Sequence, residues 1–230
     1  MRRKVGRRMS MRGIAPVPRD YIIKLIEKVD YMNYGYQIGG GKYTPEEQRM
    51  RNKALISLLY LSARRISEIV GRTTVTKDGK FLEWSGVRVR DFSKRKYKDR
   101  DGNIYDALVM RCEILKKSRP YQAEVIMLMD DEPFISYILS WLEYVKKKWG
   151  MNAKLFDITP TRSLQILKAL DPGINNHWFR HMRLSHLAEY LNPYQLTERI
   201  GHWESVAPAV AYVHGRVSEY LKAVEQARRV

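Results

Sequence analysis

The stretch Asn176-His177-Trp178-Phe179-Arg180-His181 is the most informative in the chain, and two shorter pieces, Gly201-His202 and Tyr212-Val213-His214, follow it. On a helix that begins near Asn176, Arg180 comes three residues and His181 four residues after His177, so the three share one face. Phe179, Met182 and His186 then turn toward a core. A histidine pair at this spacing is also a zinc pattern. Here no Glu lies inside the pair and the Arg180 charge between the histidines would repel a dication, so the reading assigns no metal. Histidines, an arginine and a tyrosine in this order can instead attack, hold and relay protons around one phosphodiester.

A tyrosine hydroxyl has a pKa of about 10 and is a weak nucleophile, so Tyr212 needs neighbours that stabilise phenolate or accept its proton. The same neighbours must neutralise a phosphate. Arginine suits that task because its planar fork binds two non-bridging oxygens and stays charged, which stabilises a pentavalent transition state without a metal. Two arginines are wanted. Arg180 is one, and Arg65, with Glu68 one helical turn on to orient it, is the natural second.

Bulk composition agrees with a phosphate-rich partner. The 230 residues carry 42 Lys and Arg against 25 Asp and Glu, a formal charge of +17. A field of that sign concentrates polyanions, with nucleic acid first and an anionic membrane surface second. No apolar run reaches the length of a bilayer span and no signal sequence opens the chain, which predicts a soluble, intracellular protein. Cys112 is the only cysteine, which excludes an internal disulfide and a cysteine-based zinc site. Its apolar, strand-like surroundings predict a core side chain.

Residues 1–12 hold Arg2, Arg3, Lys4, Arg7, Arg8 and Arg12 with no acid, the composition of a disordered arm that either contacts DNA or solubilises the chain. Ile22 to Val29 predict one short helix, and Gly39-Gly40-Gly41 a hinge. Thr44-Pro45-Glu46-Glu47 supplies a cap, a first-turn proline and first-turn acids, so a helix starts there. Met50, Ala54, Leu55, Leu58 and Leu59 let it bury one face to about Ser62. A turn at Arg64-Arg65 then enters a second short helix.

Between 81 and 129 the pattern changes to short β-branched runs, predicting strands at Val87–Phe92, Tyr105–Leu115 and Gln122–Met129. A basic loop, Ser93–Arg100, and the turn Lys116-Lys117-Ser118-Arg119-Pro120 join them. Helices are expected again at Phe134–Lys148, Thr161–Leu170, Asn176–Leu191, Tyr194–Ile200 and Val206–Glu225, with stops at Asp171-Pro172-Gly173, Asn192-Pro193 and Gly201. The fold class is α+β, mostly α, with one small three-stranded antiparallel sheet.

Taken in order, these elements resemble the catalytic domain of the tyrosine recombinases, the phage integrase family. In that family an Arg-x-x-Glu follows an apolar helix, as Arg65 and Glu68 follow Leu58-Leu59-Tyr60-Leu61 here. A β-hairpin lysine, a His-x-x-Arg-His helix, a Gly-His pair and a nucleophilic tyrosine come next. This chain offers Lys117 or Lys116, His177 to His181, Gly201-His202 and Tyr212, over about residues 44–225. Each motif alone occurs by chance in many helices; the order and setting make the set specific.

Two features depart from the family pattern. The spacing from His202 to Tyr212 is one residue longer than usual, and the residues before Thr44 are too few for the helical DNA-binding domain that usually precedes the catalytic one. The implied organisation is a basic extension over 1–43 and a DNA breaking-rejoining domain over 44–230.

The resemblance implies a site-specific DNA recombinase or integrase, independent of metal, ATP and other cofactors. Tyr212 would attack the scissile phosphorus to form a 3′-phosphotyrosine, Arg65 and Arg180 would hold the non-bridging oxygens, and His202 would donate a hydrogen bond to them. His177 would accept a proton or position the phosphate, Lys117 would protonate the leaving 5′-oxygen, and Glu68 would orient Arg65. Lys94, Arg95, Lys96, Lys98, Lys116 and Arg119 are read as contacts to the DNA backbone. The partner is double-stranded DNA, bound by a homotetramer, with a monomer conceivable when free. Relaxation of the type IB topoisomerase kind, or non-catalytic DNA binding on the same fold, are the alternatives.

Overall fold

The computed structural model describes residues 16–34, 43–75, 79, 81–115, 121–210 and 212. The basic arm 1–12, the Gly39-Gly40-Gly41 run, the turn carrying Lys116, Lys117 and Arg119, His214 and the segment beyond lie outside the described residues. The described chain falls into two compact units, 16–183 and 184–212.

The first unit is built around one helix. Helix α1 (Arg19–Glu27) starts after Pro18 and buries Ile22, Leu25 and Ile26, and a tighter turn, Lys28–Tyr31, adds Val29. This piece packs on helix α2 (Pro45–Ser62). The start of α2 is the predicted one: Thr44 Oγ1 accepts from the Glu47 N–H at 3.2 Å, the Thr44 N–H donates to Glu47 Oε2 at 2.6 Å, and Pro45 opens the first turn. Sequence predicted one buried face, yet every residue from Ala54 to Ser62 is buried. The reason is that α1, the later helix Phe134–Trp149 and a strand of the sheet all pack around α2, and a helix covered on all sides is apolar on all sides.

Helix α2 ends at Ala63, which takes the left-handed conformation (φ 50°, ψ 25°), and helix α3 (Ile66–Val70) begins three residues later. An antiparallel hairpin that the sequence did not announce follows, β1 (Arg72–Val75) with β2 (Phe81–Trp84). Its strands are four residues long and β1 is polar, so neither alternation nor length marks them. Gly71 (φ 85°) sits at its base, where a Cβ would collide with the Trp84 carbonyl oxygen.

The main sheet has the order β3-β4-β5 and is antiparallel throughout: β3 (Phe92–Lys98), β4 (Ile104–Ile114) and β5 (Tyr121–Leu128). The last two match the expectation and the first corrects it. Val87–Asp91 forms an isolated bridge at Arg88 and a tight turn, and the supposed basic loop from Ser93 is itself the strand, in register from Phe92↔Met110 to Lys98↔Ile104. An edge strand needs only backbone pairing on one side, so it can be lysine-rich on faces that no core covers. β4 and β5 bury Leu108, Met110, Cys112, Ile114, Ala123, Val125 and Met127.

Helix α4 (Phe134–Trp149) lies on α2 through Phe134, Ile138, Trp141, Leu142 and Val145, and Trp141 Nε1 donates to the Leu155 carbonyl at 2.8 Å. Thr159 caps helix α5 (Pro160–Leu170). Helix α6 (Asn176–Leu187) crosses the division between the units and stops short of the expected Leu191, because the Tyr190 N–H reaches back three residues, to Leu187, at 3.0 Å. In the second unit Asn192 and Gln195 cap each other's backbone at the start of helix α7 (Pro193–Gln195). Wide π-type turns over Leu196–Gly201 and helix α8 (Ala207–Val210) complete it. The fold is thus α+β and mostly helical, with a small three-stranded antiparallel sheet. No described helix is long and apolar enough to cross a membrane.

Candidate active site

In the first unit the site grows from the end of α2. Because Ala63 turns left-handed, the chain leaves α2 abruptly and Arg65 becomes the N-cap residue of α3. Glu68 then does two things at once. Its Oε2 accepts the Arg65 backbone N–H at 2.9 Å, and its Oε1 accepts Arg65 Nη1 at 3.0 Å. The carboxylate is 0% exposed and the Arg65 side chain 14% exposed, so a charged fork is clamped at the rim of the fold with its ion partner below.

Arg180 arrives from the other end of the unit's sequence. Asn175 Oδ1 accepts the backbone N–H groups of His177 (2.9 Å) and Trp178 (3.1 Å) and so caps α6. Asn176 is tied to α5 by a 2.7 Å hydrogen bond from Ser163 Oγ and by its own donation to the Pro160 carbonyl at 3.1 Å. With its first turn held, α6 sends Arg180 inward, 5% exposed, where Nη1 donates to the Ala63 carbonyl. The structure therefore brings Arg65, Glu68 and Arg180 to one turn of backbone. His177 is exposed in the first turn of α6, whereas His181, expected on the same face, is buried at 5% exposure. Phe179 and Met182 are in the core as expected, and His186 is half-buried.

Arg64 was not singled out in the sequence, yet it is almost wholly enclosed. Its Nε donates to the Ser62 carbonyl at 3.1 Å, and burial pulls its guanidinium below the ordinary value while the nearby Glu68 carboxylate opposes that pull. Burial likewise pushes the Cys112 thiol up to about 12, which keeps it protonated and inert. A cleft of about 160 Å³ opens beside Glu68, lined among others by Ser67, Arg88, Arg90, Arg111 and Glu113.

On the sheet, β3 separates the predicted DNA-contacting residues by alternation. Lys94, Lys96 and Lys98 are exposed along one face. Arg95 lies on the other, paired through both Nη atoms with Glu124 (2.9 and 3.0 Å), which also accepts from Arg111 Nε at 3.1 Å. Lys116, Lys117 and Arg119 lie outside the described residues.

In the second unit His202 is left-handed (φ 50°, ψ 44°), directly after the buried Gly201. Tyr212 follows α8, with its backbone N–H donating to the Ala209 carbonyl at 2.9 Å and its ring stacked on Trp203. Trp203 and the Asn175 cap were both missed. The cap was legible as an Asx residue just before a helix; nothing in the sequence marked the tryptophan.

No protein-family model matches the chain and no curated protein matches its sequence. Among solved structures it is similar to the XerH site-specific recombinase bound to palindromic difH substrate in a post-cleavage complex, with TM-score 0.57 and 13% identity over 91% of this chain and 52% of that one. It is also similar to the XerA recombinase, with TM-score 0.53 and 16% identity over 93% of this chain and 65% of that one. The chain thus spans about half the length of the XerH structure and under two thirds of XerA. What is shared is the fold.

Proposed function

We propose, from the tyrosine-recombinase fold and from the arginine cluster at the end of α2, that the chain is a DNA strand-transfer enzyme of the site-specific recombinase or integrase class. The observation that carries the reading is the bond from Arg180 to Ala63, which delivers an arginine from 117 residues away to the turn where Glu68 holds Arg65. Two fixed guanidinium groups can take the two non-bridging oxygens of a single phosphate. They place positive charge where a pentavalent phosphorus gathers negative charge, and they do so without reorganising during the reaction.

Tyr212 Oη attacks phosphorus and forms the P–O bond of a 3′-phosphotyrosine. The P–O5′ bond breaks and the departing oxygen takes a proton to leave a 5′-hydroxyl. The phenol proton passes to a base, for which His177 is the candidate, and Lys117 or Lys116 supplies the proton to the 5′-oxygen. His202 donates a hydrogen bond to the same phosphate. A 5′-hydroxyl of a second strand then reverses the step, so the phosphodiester energy is conserved and neither ATP nor a metal is consumed. Double-stranded DNA is the partner, and strand exchange between two duplexes calls for a homotetramer.

The test is covalent trapping. A duplex nicked near the scissile phosphate loses its leaving strand, so a protein–DNA adduct accumulates, and Tyr212→Phe abolishes it. Absence of any adduct with the parent on a random-sequence duplex pool would leave a DNA-binding protein. Relaxation of supercoiled plasmid with no recombinant product would assign a topoisomerase of the same chemistry.

A further inference from the structure

We infer that Trp203 is a positioning residue for the Tyr212 ring, an inference that rests on the reading of Tyr212 as nucleophile. Three features of the second unit point to it. His202 reverses the chain in a left-handed conformation, so the residues on either side of it fold over one another. Gly201 supplies the floor: a Cβ there would overlap Cε3 and Cζ3 in the six-membered ring of Trp203, so the indole can lie flat only because residue 201 has no side chain. The indole in turn stacks on the Tyr212 ring, with centroids 5.7 Å apart and planes 15° from parallel.

A nucleophilic tyrosine must meet phosphorus in line, and its two side-chain torsions sweep the hydroxyl through a wide arc. Stacking acts on the faces of the phenol ring. It restricts that arc without occupying the hydroxyl, whose hydrogen bonds the chemistry requires. The irregular residues 202–206 place an aromatic platform beside the tyrosine, and the Ala209 carbonyl fixes the Tyr212 backbone. Gly201 thereby serves the tyrosine through the indole that it accommodates.

The experiment compares the parent with Trp203→Ala and Trp203→Phe, using a nicked duplex selected from a random-sequence pool by retention on the parent protein. Single-turnover adduct formation is expected to slow roughly two- to tenfold in Trp203→Ala, the range of one stacked aromatic pair. DNA affinity should stay at the parental level, and Trp203→Phe should recover most of the rate. Independently of activity, the Tyr212 ring protons of protein labelled at tyrosine should sit upfield in the parent, from the indole ring current, and lose that displacement in Trp203→Ala.

Unchanged ring-proton positions, an unchanged adduct rate, or a loss of DNA affinity parallel to the loss of rate would each overturn the positioning role. An upfield Tyr212 ring in a parent that forms no adduct at Tyr212 would instead overturn the nucleophile assignment, and the positioning role with it.

Discussion

Replacing Glu68 tests whether the arginine at the candidate site is held by one buried carboxylate. Glu68 accepts two hydrogen bonds from Arg65, one from the backbone and one from the guanidinium, and no part of its side chain is exposed. Hydrogen bonds to a charged group contribute about 1.5–3 kcal/mol each. Removing one partner of a buried ion pair costs roughly 3–5 kcal/mol, because the other charge is left without compensation. The guanidinium of Arg64, 1% exposed, lies close enough to feel the same carboxylate, so two cations lose their counter-charge together. Glu68→Ala should therefore lower unfolding free energy by about 3–5 kcal/mol, a large part of the stability of an ordinary domain.

Glu68→Gln separates charge from shape. Its carbonyl oxygen can still accept the Arg65 N–H and preserve the start of α3, but its amide nitrogen cannot accept from Nη1. The expected loss is smaller, about 1–3 kcal/mol, while the trapped-adduct rate falls as far as in Glu68→Ala, because Arg65 is released in both. Urea denaturation at neutral pH gives the first quantity and single-turnover trapping the second. A Glu68→Ala protein that unfolds within about 1 kcal/mol of the parent would refute the buried-pair argument. A Glu68→Gln protein that traps DNA at the parental rate would refute the positioning argument even if stability fell as expected.

Acid should destabilise the fold through Glu47. Burial raises the pKa of this carboxyl, but bonds from Lys148, Tyr144 and the Thr44 N–H overcome burial and hold it at about 2, against an ordinary 4.5. A folded-state value below the unfolded one contributes stability that is complete above the unfolded value and is lost as the pH falls from 4.5 through about 2. The contribution is on the order of 1 kcal/mol, because solvent screens the Lys148 partner, whose side chain is 42% exposed. Urea midpoints measured across that window should fall in the parent and fall less steeply in Glu47→Gln; parallel profiles would count against the assignment. Replacing Lys94, Lys96 and Lys98 together by Gln should weaken DNA binding uniformly across sequences. It should also flatten the slope of log K against log salt by about one for each phosphate contact removed. A slope identical to the parent's would take these lysines off the DNA.

The parts of the fold that a sequence reader finds and misses divide along a physical line. Helices α2, α4 and α5 are legible because local signals and tertiary packing agree. In α2, Thr44, Pro45 and Glu47 build a capping box that needs no distant partner, and the apolar run behind it is buried wherever it packs. β3 is illegible for the opposite reason. Its residues Ser93–Lys98 are polar on both faces and become a strand only because β4 offers a backbone edge, which is information held by another segment.

The candidate site divides in the same way. Arg65, Glu68 and Arg180 are readable as residue types at fixed spacings along helices. What joins them is a backbone carbonyl at Ala63, and a carbonyl has no identity in sequence. Trp203 is the sharper case. A tryptophan after a Gly-His pair looks like any large apolar residue, and the backbone φ of His202 turns it into a platform for the tyrosine. The glycine supports both observations: read alone it suggests a helix stop, and in the fold it is the surface on which the indole rests. Residues that touch a phosphate are restricted by chemistry and can be recognised by type. Those that aim them are restricted only by shape, and a fold can meet that requirement with a carbonyl, a cap or a ring.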